Sequence, residues 1–140
     1  MIRKLAHLNF VTNDLEKIID FYVNKLGLQV KFTLDNKEGK PFGYYFACGD
    51  TTFLEFFDQK MAVEVWGGKV EDLNIGTRYR HFCLEVTGLE EFCNRLREKG
   101  VAVSEISLGM ENSYQAWITD PDGNSIELME YTHSSMQISG

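Results

Sequence analysis

Apolar and polar positions along the chain alternate in short runs, interrupted twice by stretches of helical spacing. Leu5 to Val11 alternates loosely and predicts a strand. Thr12-Asn13-Asp14 then offers helix N-cap chemistry. Leu15, Ile18, Ile19, Tyr22 and Leu26 recur at intervals that share one helical face, and Gly27 supplies the stop. Three strands are predicted next, over Leu28–Leu34, Phe42–Cys48 and Thr52–Phe57. Polar residues 35–40 close the first pair, and Gly49-Asp50 closes the second. The order is β-α-β-β-β. Gln59 to Thr77 has no dominant period and predicts a connector holding at most a short helix.

From Tyr79 the order begins again. His81–Val86 predicts a strand, with Thr87 or Gly88 near the following cap. Leu89, Phe92, Cys93, Leu96 and Arg97 suit an amphipathic helix that stops at Gly100. Strands follow over Val101–Ile106, Tyr114–Thr119 and Ser125–Tyr131, with Leu108–Asn112 as a loop. Thr132–Gly140 predicts a polar, frayed tail, with His133 exposed in it. Cys48, Cys83 and Cys93 sit in apolar runs and are expected to be buried, reduced thiols.

The second half repeats the first. His7-Leu8-Asn9-Phe10 to Leu15 aligns without a gap on His81-Phe82-Cys83-Leu84 to Leu89, and Phe53-Leu54-Glu55-Phe56 matches Ser125-Ile126-Glu127-Leu128. Glu55 comes 48 residues after His7, and Glu127 comes 46 after His81. Repeats of this length are expected to build two similar units about a pseudo-twofold, so that equivalent residues converge. The expected organisation is module 1 over about 3–58, a connector over about 59–77 and module 2 over about 78–131, then the tail.

Glu127 follows a turn. In Asp120-Pro121-Asp122-Gly123, Pro121 presets φ for a type I turn and Gly123 relieves strain at its end. A carboxylate between Ile126 and Leu128 needs a partner if it is covered. Two imidazoles and two carboxylates make a mixed nitrogen and oxygen set for a divalent first-row ion, whose charge offsets the paired carboxylates. With four protein ligands, an octahedral ion keeps two positions for water or substrate oxygens.

Composition narrows the classes. An apolar fraction of 44% and an aromatic fraction of 13% exclude a disordered chain. The net charge of −7 argues against nucleic acid or an anionic membrane as the main partner. No stretch has the length of a membrane span or of a signal peptide's apolar core, so a cytoplasmic protein is expected. Neither a phosphate-cradling glycine loop nor a nucleophile–base motif is visible, which argues against phosphoryl and acyl transfer.

These motifs resemble the vicinal oxygen chelate superfamily, and within it the glyoxalase I (lactoylglutathione lyase) type. The resemblance runs from Leu5 to Tyr131. It rests on His7 through Leu15, Asp20-Phe21-Tyr22, Leu26-Gly27-Leu28, Leu54-Glu55, Gly76 through His81, and Asp120-Pro121-Asp122-Gly123-Asn124 through Glu127. It implies an α+β fold of two βαβββ modules curled around a metal, commonly in homodimers. Ligand roles then fall to His7, Glu55, His81 and Glu127, with nickel, cobalt, manganese or zinc as the ion. By the same resemblance the metal takes the oxygens of a hemithioacetal and stabilises its enediolate. Glu127 is the first candidate for the base that moves the proton, and Glu55 the second.

The chain departs from the glyoxalase I pattern at Val11, where an Arg usually reaches the glutathione carboxylate, and at Gln59, where Asn is usual. Residues 107–113 contain no Lys or Arg, although a doubly anionic tripeptide gains charge-assisted contacts from cations. Arg78 and Arg80 are the candidate substitutes. Tyr44, Tyr45, Tyr114, Gln115 and Trp117 fall on strands expected to face the site. Alternation admits only one of Tyr114 and Gln115. The expected substrate-binding set is Gln59, Arg78, Arg80, Tyr114 and Trp117. Competing readings are an epimerase or sugar isomerase of the same superfamily, and a metal-free protein that sequesters an antibiotic.

Overall fold

The alternation of the first run is realised as β1 (His7–Thr12), paired in parallel with β4 (Phe53–Asp58) so that Asn9 stands opposite Glu55. The structure, a computed structural model, describes residues 1, 5–73, 79 and 81–139, and of residue 139 the backbone alone. The chain divides into two units, Met1–Gly76 and Thr77–Gly140.

In the first unit, Asp14 accepts the backbone N–H of Lys17 at 3.1 Å and starts α1 (Leu15–Ile19). The helix continues as a wider turn over Asp20–Lys25, and Leu26 N–H reaches the Phe21 carbonyl, five residues back, at 2.8 Å. That wider turn buries the consecutive pair Phe21 and Tyr22 together with Ile18 and Leu26. The Tyr22 ring packs 5.0 Å from Phe56 and 5.6 Å from Phe46. Each such buried side chain contributes about 1.5–3 kcal/mol. Strands β2 (Gln29–Asp35) and β3 (Pro41–Ala47) complete a four-stranded sheet of order β1-β4-β3-β2.

The connector begins with a regular helix, α2 (Gln59–Trp66), capped by Asp58, whose carboxylate accepts Met61 N–H at 2.9 Å. It ends at Gly67, where φ is +84°. Trp66 closes over Phe42 and Phe57, with ring centroids 5.0 Å from each.

The second unit has the same plan. It contains β5 (Phe82–Glu85), α3 (Leu89–Glu98), β6 (Ser107–Leu108), β7 (Tyr114–Thr119) and β8 (Ser125–Glu130), in sheet order β5-β8-β7-β6. Leu89, Cys93 and Leu96 of α3 are buried with Ala116, Ile118, Ile126 and Leu128 of the sheet. The order β-α-β-β-β, twice, is the α+β architecture expected.

Three expectations are corrected. Val101–Ile106 is not a strand, and only Ser107–Leu108 joins the ladder. The reason is Ser104, whose hydroxyl accepts the Trp117 N–H at 2.8 Å in place of a ladder carbonyl. The tail is not frayed. Thr132 N–H donates to the buried Ser135 hydroxyl, Met136 N–H donates to the Glu111 carbonyl, and a short helix α4 (Met136–Ser139) follows. The cysteines are free, but only Cys93 is buried, while Cys48 is partly covered and Cys83 exposed. Phe82 and Leu84 turn to the side of the sheet opposite Cys83, so apolar neighbours in sequence do not cover it.

Candidate functional site

Each unit brings one histidine to one glutamate. In the first, β1 places His7 beside the inner strand β4, and His7 Nε2 lies 3.7 Å from Glu55 Oε2. In the second, His81 immediately precedes β5, and its Nε2 lies 3.2 Å from Glu127 Oε2. The carboxylates are well covered, at 5% and 13% side-chain exposure, whereas the imidazoles are 46% and 39% exposed. Alternation sends Leu54, Phe56, Ile126 and Leu128 into the two cores and turns both glutamates to the opposite face.

The rows across the two sheets correspond. Asn9, Glu55, Tyr45 and Phe32 are aligned through successive strand pairings, and Cys83, Glu127 and Trp117 are aligned in the other sheet. Tyr45 meets His7 edge-on at 5.7 Å, and Trp117 meets His81 edge-on at 4.8 Å. Tyr45 also stacks on Phe32 at 4.2 Å and stands directly opposite Glu55. Burial and that carboxylate push the phenol up to about 12. In the second unit the Cys83 thiol stands directly opposite Glu127, and partial desolvation of its sulfur with the charges of Glu127 and Glu111 pushes it up to about 12 although the residue as a whole is exposed.

Each pair offers one imidazole nitrogen and one carboxylate oxygen, donors of the kind that hold a divalent ion. Two ligands on one metal, each bound at about 2.0–2.2 Å, stand about 3–3.5 Å from each other. The His81–Glu127 separation of 3.2 Å falls in that range, and the His7–Glu55 separation of 3.7 Å lies outside it. In the second unit the charges of Glu85 and Glu111 also bear on Cys83 beside Glu127. Among the described residues, metal-ligating side chains gather in pairs and not in groups of three or more.

Among the expected substrate-binding residues, Trp117 lies directly opposite Glu127 and on its face. Tyr114 stands opposite Glu130, one step out of that alternation, so Gln115 and not Tyr114 shares the face of Trp117. Gln59 is buried. Its amide donates to Asn13 and to the Glu71 carbonyl and accepts the Glu71 N–H, pinning residue 71 to α2. Arg78 and Arg80 lie outside the described residues.

Sequence reasoning passed over Tyr45 and Cys83 as partners of the glutamates. The repeat itself carries the signal, since Tyr45 and Trp117 stand ten residues before Glu55 and Glu127 respectively.

The sequence profile of the Glyoxalase/Bleomycin resistance protein/Dioxygenase superfamily matches residues 4–128. The lactoylglutathione lyase of Salmonella typhimurium is 31% identical over 132 residues, covering 91% of this chain and 92% of that one. The lactoylglutathione lyase of Neisseria meningitidis serogroup A is 29% identical over 129 residues, covering 91% and 90%. Among solved structures, an antibiotic binding protein from Streptomyces sp. CB03234 superposes with a TM-score of 0.70 at 26% identity, covering 94% of this chain and 98% of that one. The lactoylglutathione lyase from Agrobacterium tumefaciens gives 0.67 at 23% identity, covering 91% and 92%, which is a likeness of fold. With both halves of the repeat inside the matched region, the chain belongs to the Glyoxalase/Bleomycin resistance protein/Dioxygenase superfamily.

Proposed function

We propose that the chain is a glyoxalase I-like lyase. In this reading His7, Glu55, His81 and Glu127 together hold one divalent ion, which is nickel, cobalt, manganese or zinc. The observation that carries it is the repeated His–Glu pair, with each imidazole within 4 Å of a covered carboxylate at the same place in each unit. The bound ion would draw charge from two neighbouring substrate oxygens and so acidify the C–H beside them.

The substrate is a hemithioacetal or a small α-hydroxycarbonyl. Glu127 takes the proton from the carbon bearing the hydroxyl and returns it to the adjacent carbonyl carbon, with Glu55 as second candidate for that role. One C–H bond breaks and one forms, and the hydroxyl proton passes to the former carbonyl oxygen, so the product is an isomer and no redox partner is consumed. Trp117 flanks the reacting carbons, and Arg78 and Arg80 serve an anionic substrate group, whereas Tyr114 on the opposite face and Gln59, bound to Asn13 and Glu71, drop out of the expected set. The protein works as a cytoplasmic homodimer.

The test is turnover of the methylglyoxal–glutathione hemithioacetal by protein stripped of metal and reloaded separately with each of the four ions. Metal-dependent isomerisation supports the reading. Stoichiometric metal binding without turnover on this substrate directs the assay to hydroxycarbonyl sugars and to epimerisation beside a carbonyl. A second reading, a metal-free antibiotic-binding module, is favoured by the likeness to the Streptomyces binding protein and by the aromatic side chains Phe32 and Tyr45 in the first unit and Trp117 in the second. A protein that binds no metal, yet binds a flat aromatic ligand, would favour it.

A further inference from the structure

The strand that carries each glutamate is followed in the chain by a helix, α2 after β4 and α4 after β8. In each unit that helix covers the side chain two places beyond the glutamate. We propose that residues 132–139 form the end wall of the ligand face around Glu127 and limit how large a substrate group that face accepts. The proposal rests on the reading of Glu127 as part of the reacting site.

Rows of side chains cross this face of the second sheet. Cys83, Glu127 and Trp117 make one row, and Glu85, Met129 and Gln115 make the next, about 7 Å further along the strands. Met129 points to the same side as Glu127, yet it is only 3% exposed. Gln137 of α4 lies against it. Its amide nitrogen reaches Met129 Sδ at 3.3 Å, and its oxygen accepts the Tyr131 hydroxyl at 3.2 Å. The segment is pinned on both sides of this contact. Asn112 donates its amide to the Ser134 carbonyl at 3.3 Å, the Ser135 hydroxyl meets Ser113 at 2.8 Å, and Met136 N–H reaches the Glu111 carbonyl at 2.8 Å. On the other side of the Glu127 row, Thr119 is exposed and so is much of the His81 ring.

The first unit is closed at the same place by other means. Phe57, two residues beyond Glu55, lies flat against Gly43, where an added Cβ would come within 2.9 Å of the ring. Trp66 at the end of α2 packs on it with ring centroids 5.0 Å apart. Two unrelated sequences, one aromatic and one amide, thus close equivalent positions of the repeat. A ligand group held at Glu127 has room towards Thr119 and stops at Gln137. Exclusion by a fixed wall is sensitive to size, and one methylene too many commonly costs about tenfold.

The experiment compares the whole protein with Gln137→Ala and with a chain ending at Tyr131. Exposed Cys83, in the row beside the wall, is labelled with N-ethylmaleimide and with a bulky pyrene maleimide, and the bulky-to-small rate ratio cancels the reactivity of the thiol itself. Buried Cys93 reports unfolding. The expected result is a ratio raised severalfold in both variants, with Cys93 unlabelled. In cobalt-loaded protein, the kcat/KM for the phenylglyoxal–glutathione hemithioacetal should also rise about tenfold relative to that for the methylglyoxal one. If the shortened chain labels at Cys93, Gln137→Ala alone decides. An unchanged labelling ratio in the folded variants, or a raised one with unchanged preference between the two substrates, overturns the proposal. An unaltered protein that turns over neither substrate counts against the glyoxalase I reading, and the labelling ratio still decides whether the wall exists.

Discussion

His81 and Glu127 are 46 residues apart in the chain, yet the imidazole Nε2 and the carboxylate Oε2 stand 3.2 Å from each other. The parallel pairing of β5 with β8 produces this meeting. It sets Cys83 opposite Glu127 and leaves His81 at the open end of the edge strand, within reach of the carboxylate. In the proposed reaction this carboxylate moves the proton. Glu127→Gln is nearly isosteric but cannot accept a proton, so turnover should fall by about 10²–10⁴-fold with a small change in KM. Steady-state kinetics on the reloaded protein would check it. Retention of more than half the turnover would remove Glu127 from that role.

Glu130 caps α3 from another strand. Its two carboxylate oxygens accept the N–H groups of Gly88 and Leu89, each at 2.9 Å, where Gly88 has no side chain to do so. These bonds hold the Glu130 carboxyl below its usual 4.5. Because the folded-state value is lowered, the stabilisation is fully present above the ordinary value and is lost as pH falls through the folded one. Glu130→Gln should cost about 1 kcal/mol at pH 7, and the difference from the unaltered protein should shrink on acidification below about pH 4.5. Chemical denaturation at several pH values reads this directly. A pH-independent difference would show that the charge is not what matters.

Asp120 is buried at 4% exposure and organises the turn before Glu127. One oxygen accepts the N–H groups of Asp122 and Asn124 at 2.9 and 2.8 Å, and the other accepts the Asn124 amide at 2.8 Å. Asp120→Ala strands those donors and should destabilise the protein by about 2–3 kcal/mol. Urea unfolding is the measurement. A loss below about 0.5 kcal/mol would mean that Pro121 and Gly123 make the turn without help.

Ser135 ties down the tail. Its fully buried hydroxyl accepts Thr132 N–H at 2.7 Å and also meets the Ser113 hydroxyl at 2.8 Å. Ser135→Ala should cost about 1–2 kcal/mol and release the last residues, seen as faster amide exchange at Met136. Unchanged exchange there would show that the Glu111 carbonyl alone anchors the segment.

Element order was legible because elements such as β7 and α3 keep their own period over their full length. Both His–Glu pairs were legible because a repeated backbone returns repeated positions to the same neighbours. What escaped depends on side chains replacing backbone partners. Ser104 takes the N–H that would have extended a ladder, Glu130 supplies a cap missing from Gly88, and Thr132 with Ser135 folds a polar tail into place. Such bonds join residues distant in sequence or of unremarkable type, so no period announces them. The choice between Tyr114 and Gln115 needed the strand register, which alternation alone leaves open by one residue.

In both sheets the glutamate-bearing strand is interior and the strand that carries or follows the histidine is at the edge. An interior strand is secured by two ladders of backbone hydrogen bonds and an edge strand by one, so the two members of each pair are unequally anchored. Amides of β1 and β5 should exchange with solvent before those of β4 and β8. Mild heat or denaturant would then release the imidazoles first, while both carboxylates stay fixed to intact sheets.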